Sequence, residues 1–262
     1  MMDAADDSFP EYQTKAKRLV TDEVILNNVS RLKPAERFNG TEPRIYPGYT
    51  IITPPFEDEL NAENNSAYEK LARVQKELLK QSGNSIFTPV PSSSFHLTIA
   101  DLISGSRFVE QQRVNGWEDR LRDRIGEIFH RAESPTGASL LVSGLSLFTS
   151  VIVAIISSED RSGYEQLINV RNMIYQDGEL KALGVRKAPF SFIGHITLAY
   201  VEAKPDIQSA TSLSRLLSQF NLHAFSNPLP LKVIQAELRK FNDMSRYYRQ
   251  ETWPVLHFQS ST

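Results

Sequence analysis

The chain contains no cysteine, which excludes disulfides, thiolate catalysis and cysteine-based zinc sites together. It has no apolar run approaching the roughly 20 residues needed to cross a bilayer; the longest, at 151–156, is a single strand's worth. No hydrophobic segment follows the acidic opening MMDAADDSFPEY, so no secretory signal is expected and a cytoplasmic location is. Charge of one sign is also missing. A formal net charge of -2 argues against coating long nucleic acid or an anionic membrane, though not against a local basic pocket. No glycine-rich loop follows any strand candidate, so dinucleotide-fold and P-loop readings have no support. No HExxH motif or carboxylate cluster suggests a metal, and no cofactor is expected.

What remains is ordinary globular composition: 40% hydrophobic and 23% charged residues in a chain of 262, enough for one large core. Residues 1–47 read as an N-terminal extension, with a helix predicted over 11–31 and Pro34, Gly40, Pro43 and Pro47 breaking regular structure after it. Residues 48–262 read as a single domain. GYTIITP is a strand; Tyr68, Leu71, Val74, Leu78 and Leu79 mark an amphipathic helix. FHLTIADLI is a strand after a loop containing Pro89 and Pro91, and Trp117, Leu121, Ile125, Ile128 and Phe129 mark the next helix. SLLVSGLSLF and SVIVAIIS form a strand pair. A helix from Tyr164 to Leu183 closes at Gly184, FIGHITLAYV is a strand, and Leu213 to Phe220 is helical. LKVIQAELRKF and YYRQETWPVLHF are final strands. Helices alternating with strands and strand pairs indicate α+β or mixed α/β architecture.

Histidine is scarce too: His96, His130, His195, His223 and His257 are all there is. Two of the five open the pattern His-apolar-Thr-apolar, as HLTI and HITL. A given histidine does so by chance about 1% of the time, and two of five about once in a thousand. Along a strand, positions i and i+2 share a face. His96 with Thr98, and His195 with Thr197, therefore each look one way while the apolar partners pack the other. Two such strands set together converge two imidazoles and two hydroxyls. One neutral imidazole takes a proton, the other, protonated, gives one, and the hydroxyls donate to non-bridging oxygens: a phosphodiester fits. His130 and His223, at or just past helix ends, and His257 are read as non-catalytic.

On the last strands, Ile234, Ala236 and Leu238 share one face and Gln235, Glu237, Arg239 and Phe241 the other. If that second face lines a cleft, Arg239 neutralises phosphate and Phe241 stacks on a base; a solvated edge with an ordinary ion pair is the competing reading. Period two places Tyr200 with Ile196 and Leu198, in the core. RLRDR at 120–124 reads as a solvated helix face.

The paired motifs resemble the two-histidine phosphoesterase superfamily, which includes RNA 2′,3′-cyclic phosphodiesterases and the bacterial 2′-5′ RNA ligase-like proteins, and the resemblance spans roughly residues 48–258. It implies a bilobal, pseudo-two-fold α+β fold, antiparallel-rich sheets lining a central cleft and helices outside. It also implies catalytic roles for His96, Thr98, His195 and Thr197. The activity it implies is metal-independent hydrolysis of a small nucleotide or RNA-end phosphodiester of the 2′,3′-cyclic type by a monomer. The alternative is a nucleotide- or RNA-binding module that keeps the cleft without physiological catalysis.

Overall fold

A break at Thr21 splits the predicted N-terminal helix. The computed structural model describes residues 5–40, 42–82, 86–132 and 135–259; the first four residues of the acidic opening lie outside them. Helix α1 (Phe9–Leu19) ends where the Thr21 hydroxyl donates to the Arg18 carbonyl, and α2 (Asp22–Val29) starts anew. At the head of α1, the Ser8 backbone N–H and hydroxyl both donate to the Glu11 carboxylate, a local cap. Tyr12 stacks on Tyr164 at 4.4 Å and donates to the Ile156 carbonyl at 2.7 Å. The segment before residue 48 is thus packed onto the body of the protein. Two short strands near its end, β1 (Phe38–Asn39) and β2 (Glu42–Pro43), pair with each other.

The body alternates strands and helices in chain order: β3 (Gly48–Ile52), α3 (Ala62–Ser82), β4 (Phe87–Pro89), β5 (Thr98–Ser104), α4 (Ser106–Gln111), α5 (Trp117–Arg131), β6 (Ala138–Phe148) and β7 (Val151–Ser158). Then come α6 (Arg161–Gln176), α7 (Gly178–Ala182), β8 (His195–Val201), α8 (Ile207–Ala224), β9 (Leu229–Val233), β10 (Gln235–Phe241), β11 (Tyr247–Tyr248) and β12 (Val255–His257). The helices form where apolar spacing demands it. Trp117, Leu121, Ile125 and Ile128 of α5 are all fully buried, while Glu118 and Asp119 open that helix and His130 and Arg131 close it, as its dipole favours. The predicted 164–183 helix is two: Asp177 interrupts it by accepting the N–H groups of Glu179 and Leu180 as the cap of α7. His223, expected just past a helix, lies in the last turn of α8. RLRDR is only partly solvated, because Arg124 turns inward to hold Asp177 through three hydrogen bonds.

Two five-stranded antiparallel sheets result, curled into an open half-barrel with helices outside. One runs β11-β10-β3-β5 with β12 also on β10; the other runs β4-β8-β7-β6-β9. The sheets match in pattern: β5 pairs β3 as β8 pairs β7, and β10 flanks β3 as β6 flanks β7. The expected α+β, pseudo-two-fold, bilobal arrangement is what the chain adopts. Lobe and chain half do not coincide, however. β4 precedes the first motif yet pairs with β8, and β10 to β12 return from the C-terminal end to complete the first sheet.

Each motif strand carries an irregularity at the same place, and β5 carries a second, at Leu102. Against β3, Thr98 and Ala100 face consecutive residues, Ile52 and Ile51, leaving Ile99 extra. Against β7, Thr197 and Ala199 face Val153 and Ile152, leaving Leu198 extra. A bulge resets which face later residues occupy. Ile99 with Ala100, and Leu198 with Ala199, are consecutive buried pairs, and the residues after them, Asp101 and Tyr200, turn to the same side as the threonines. The core placement expected for Tyr200 is therefore corrected: it lines the cleft.

Candidate active site

The approach to the first motif is a 3-10 turn, Ser92–Ser94. Thr53 clamps the motif's backbone at Leu97, donating its N–H to the Leu97 carbonyl at 2.9 Å and accepting the Leu97 N–H on its hydroxyl at 3.0 Å. Leu97 thus faces inward and His96 outward. The His96 ring places Nδ1 2.7 Å from the Ser94 carbonyl, and the His195 ring places Nδ1 2.9 Å from the Ile193 carbonyl. A carbonyl only accepts, so Nδ1 carries the proton in both rings, and in each neutral imidazole Nε2 is the basic nitrogen left for a ligand. Aromatic edges hold the rings: Tyr247 lies 4.3 Å from His96 and Phe148 5.1 Å from His195.

His96, Thr98, His195 and Thr197 line one cavity of about 830 Å³, large enough for a nucleotide. Asp101 and Tyr200, the two residues displaced by the bulges, share it with Tyr46, Tyr247 and Phe241. Of the two predicted binding residues, Phe241 is on the wall and Arg239 is not among the lining residues. Arg239 is buried behind the wall, paired with Glu237 (2.7 Å from Nε) and Asp58 (2.7 Å), and donates to the Tyr247 carbonyl at 3.1 Å. It holds in place the tyrosine that abuts His96.

The site is electrostatically lopsided. Burial pushes His96 down to about 4, with the neighbouring His195 and Arg239 adding to the effect. Burial also lowers His195, but there the Asp101 carboxylate pulls the other way. Asp101 itself is held above the usual carboxylate range by the enclosing walls, against the pull of His195 and Arg171. At the matching position of the other strand Tyr200 is pushed up to about 12, chiefly by burial, and stays a neutral phenol.

Stability inherits a pH dependence from this. A histidine held below its unfolded value near 6.5 binds fewer protons folded than unfolded, so its contribution is complete above about pH 6.5 and is lost as pH falls toward the folded value. The melting temperature should drop between pH 6.5 and 4, and less steeply for His96→Gln. Parallel Tm-against-pH curves for the two proteins would contradict the burial of this ring.

A family model described as 2H-phosphodiest, a domain of unknown function (DUF1868), matches residues 37–126, which contain the first motif. That stretch of the chain is thus similar to the two-histidine phosphodiesterases. Among solved structures, the conserved protein of unknown function ATU0111 from Agrobacterium tumefaciens has a similar fold, at a TM-score of 0.55 and 14% identity, over 86% of this chain and 97% of that one. Escherichia coli LigT complexed with phosphate aligns at a TM-score of 0.45 and 16% identity, over 82% of this chain and all of the other. No curated protein sequence matches. Within the described residues, no group of three or more His, Asp or Glu side chains is arranged to hold a metal ion, and no helix is long and apolar enough to cross a membrane.

The sequence reading missed Asp101, Tyr200 and Tyr247. A signal for the first two was present. Written out to six residues the motifs are HLTIAD and HITLAY, and an alanine held at one offset in both copies marks where the alternation slips.

Proposed function

We propose that this protein is a phosphodiesterase that hydrolyses a small nucleotide or RNA-end diester of the 2′,3′-cyclic phosphate type. The observation that carries the reading is the matched pair of imidazoles on one cavity, each with Nδ1–H tied to the carbonyl two residues before it. Both rings are neutral in the free protein at neutral pH. An anionic diester then favours protonation of one of them, and the Asp101 carboxylate directs that proton to His195. His96 is the base. Its Nε2 takes a proton from water as the water oxygen bonds to phosphorus. The phosphorus bond to one ribose oxygen breaks, and His195 Nε2–H protonates that oxygen. The products are a ribose hydroxyl and a phosphate monoester, and solvent returns the proton from His96 to His195. The Thr98 and Thr197 hydroxyls donate to the non-bridging oxygens.

The test is turnover of nucleoside 2′,3′-cyclic phosphates followed by chromatography. Because proton transfer here runs between two imidazoles, dialysis against chelator should leave the rate intact. Activity lost on dialysis and restored by a divalent cation would sink the scheme.

A further inference from the structure

The cleft extends well past the histidines. Its lining includes four cations, Arg37, Arg107, Arg186 and Lys187. Two are committed: Lys187 pairs with Asp6 at 3.0 Å, and Arg186 donates to the Lys181 and Val185 carbonyls. Arg37 and Arg107 have no carboxylate within ion-pair distance among the described residues. Arg37 is half-buried and Arg107 exposed, whereas the buried Arg171 and Arg239 each hold an acid.

These two arginines come from different parts of the chain, and one ring touches both segments that carry them. The Arg37 guanidinium lies 3.4 Å over the centre of Tyr46. The Tyr46 hydroxyl accepts from Ser104 at 3.0 Å, at the far end of β5. The same ring presses against Gly105, where a Cβ would come within 2.7 Å of it and where φ is +62°. Only glycine fits that turn, and the turn starts the short helix α4 that carries Arg107. Tyr46 therefore packs against Arg37 and against the turn that leads to Arg107, and all three residues line the cavity.

We propose that this part of the cavity is a second anion subsite, for a phosphate one nucleoside away from the reacting diester. From Thr98, beside the histidines, to Ser104, beside Tyr46, the bulged strand spans roughly 15–20 Å at about 3.3 Å per residue. Arginine side chains close part of that gap, which leaves the length of a nucleoside with a phosphate at each end. Phe241, level with Ser104 across β3, and Tyr200 add aromatic surface to the same cavity for a base or ribose. A guanidinium without a carboxylate partner keeps its paired donors for phosphate oxygens. The substrate class is thus a 5′-phosphorylated nucleoside 2′,3′-cyclic phosphate, the end of a short oligonucleotide included. The assignment of which phosphate reacts rests on the phosphodiesterase reading above.

The test is calorimetric binding of a nucleoside 3′,5′-bisphosphate against the nucleoside 3′-monophosphate with the same base, which needs no turnover. The unsubstituted protein should favour the bisphosphate about tenfold or more, the worth of one charge-assisted contact. Arg37→Gln and Arg107→Gln should each shrink that ratio, the double substitution should bring it near one, and Arg37→Lys should recover part of it. Melting curves of the variants show that they are folded. A ratio near one in the unsubstituted protein overturns the subsite, as does a ratio that survives the double substitution. If the ratio behaves as expected and no cyclic phosphate is turned over, the catalytic reading fails and the subsite stands.

Discussion

His195→Ala should lower turnover of a nucleoside 2′,3′-cyclic phosphate by about 10²–10⁴-fold, and His96→Ala by a similar factor, the range typical of general acid–base steps. The two losses should differ in their pH signature. The rate of the unsubstituted protein should fall on both sides of an optimum whose limbs belong to the coupled pair. His96→Ala should remove the acidic limb, since no base remains to be protonated, and His195→Ala the alkaline one. Asp101→Asn should move the alkaline limb down, because the carboxylate that favours the His195 imidazolium is gone. Thr98→Ala and Thr197→Ala each remove one hydrogen bond to phosphate and should cost less than either histidine. Full turnover in both histidine variants would return the pair to a structural role and leave a nucleotide-binding module.

Replacing Arg171 should have the largest effect on stability. Its Nε lies 3.2 Å from Asp6, its Nη1 donates to the Ile99 carbonyl, and its guanidinium covers Phe192 at 4.5 Å. Asp6 in turn accepts the Phe192 N–H at 2.8 Å and pairs with Lys187 at 3.0 Å. Arginine and aspartate side chains are nearly inaccessible, at 8% and 1% exposure. Arg171→Met leaves a buried carboxylate short of its main partner, and breaking such a pair costs about 3–5 kcal/mol. Ile99 is the bulge residue of the first motif, and Phe192 leads into the second. Catalysis should fall along with stability, and restoring stability with osmolyte should not restore the rate in full. Urea unfolding measures the first effect; a loss under about 1 kcal/mol would mean that the pair is solvated and the hub unimportant.

The pair of cleft-lining imidazoles was legible because a strand has period two, so a histidine and a threonine at i and i+2 announce a shared face. The same rule misled at Tyr200. Pairing across the sheet inserted Leu198 as a bulge, and nothing in a single strand's hydrophobicity reveals a register shift imposed by its neighbour. Phe87–Pro89 was likewise hidden. Its proline suits only the end of an edge strand, and its partner β8 lies more than a hundred residues further on. Tyr247 was invisible for a different reason: what makes it matter is the Arg239 bond to its carbonyl and its edge on His96, and both are tertiary. Arg239 itself stands on the expected strand, but Glu237 and Asp58 occupy the guanidinium that was expected to meet phosphate.

The chain passes from one sheet to the other within a single residue, Ile234, between Val233 of β9 and Gln235 of β10. Taken with the early loan of β4 to β8, that crossing interlocks the lobes as two links do, and the internal repeat cannot be excised as a working half. A fragment ending before β6 keeps β3 and β5 but lacks β10, leaving the inner edge of β3 unpaired and its N–H and C=O groups open to another chain. The first sheet closes only when residues near 240 find those near 50, so its edge stays exposed until most of the chain has been made, and the ordering of the first histidine's surroundings is deferred to the last steps of folding.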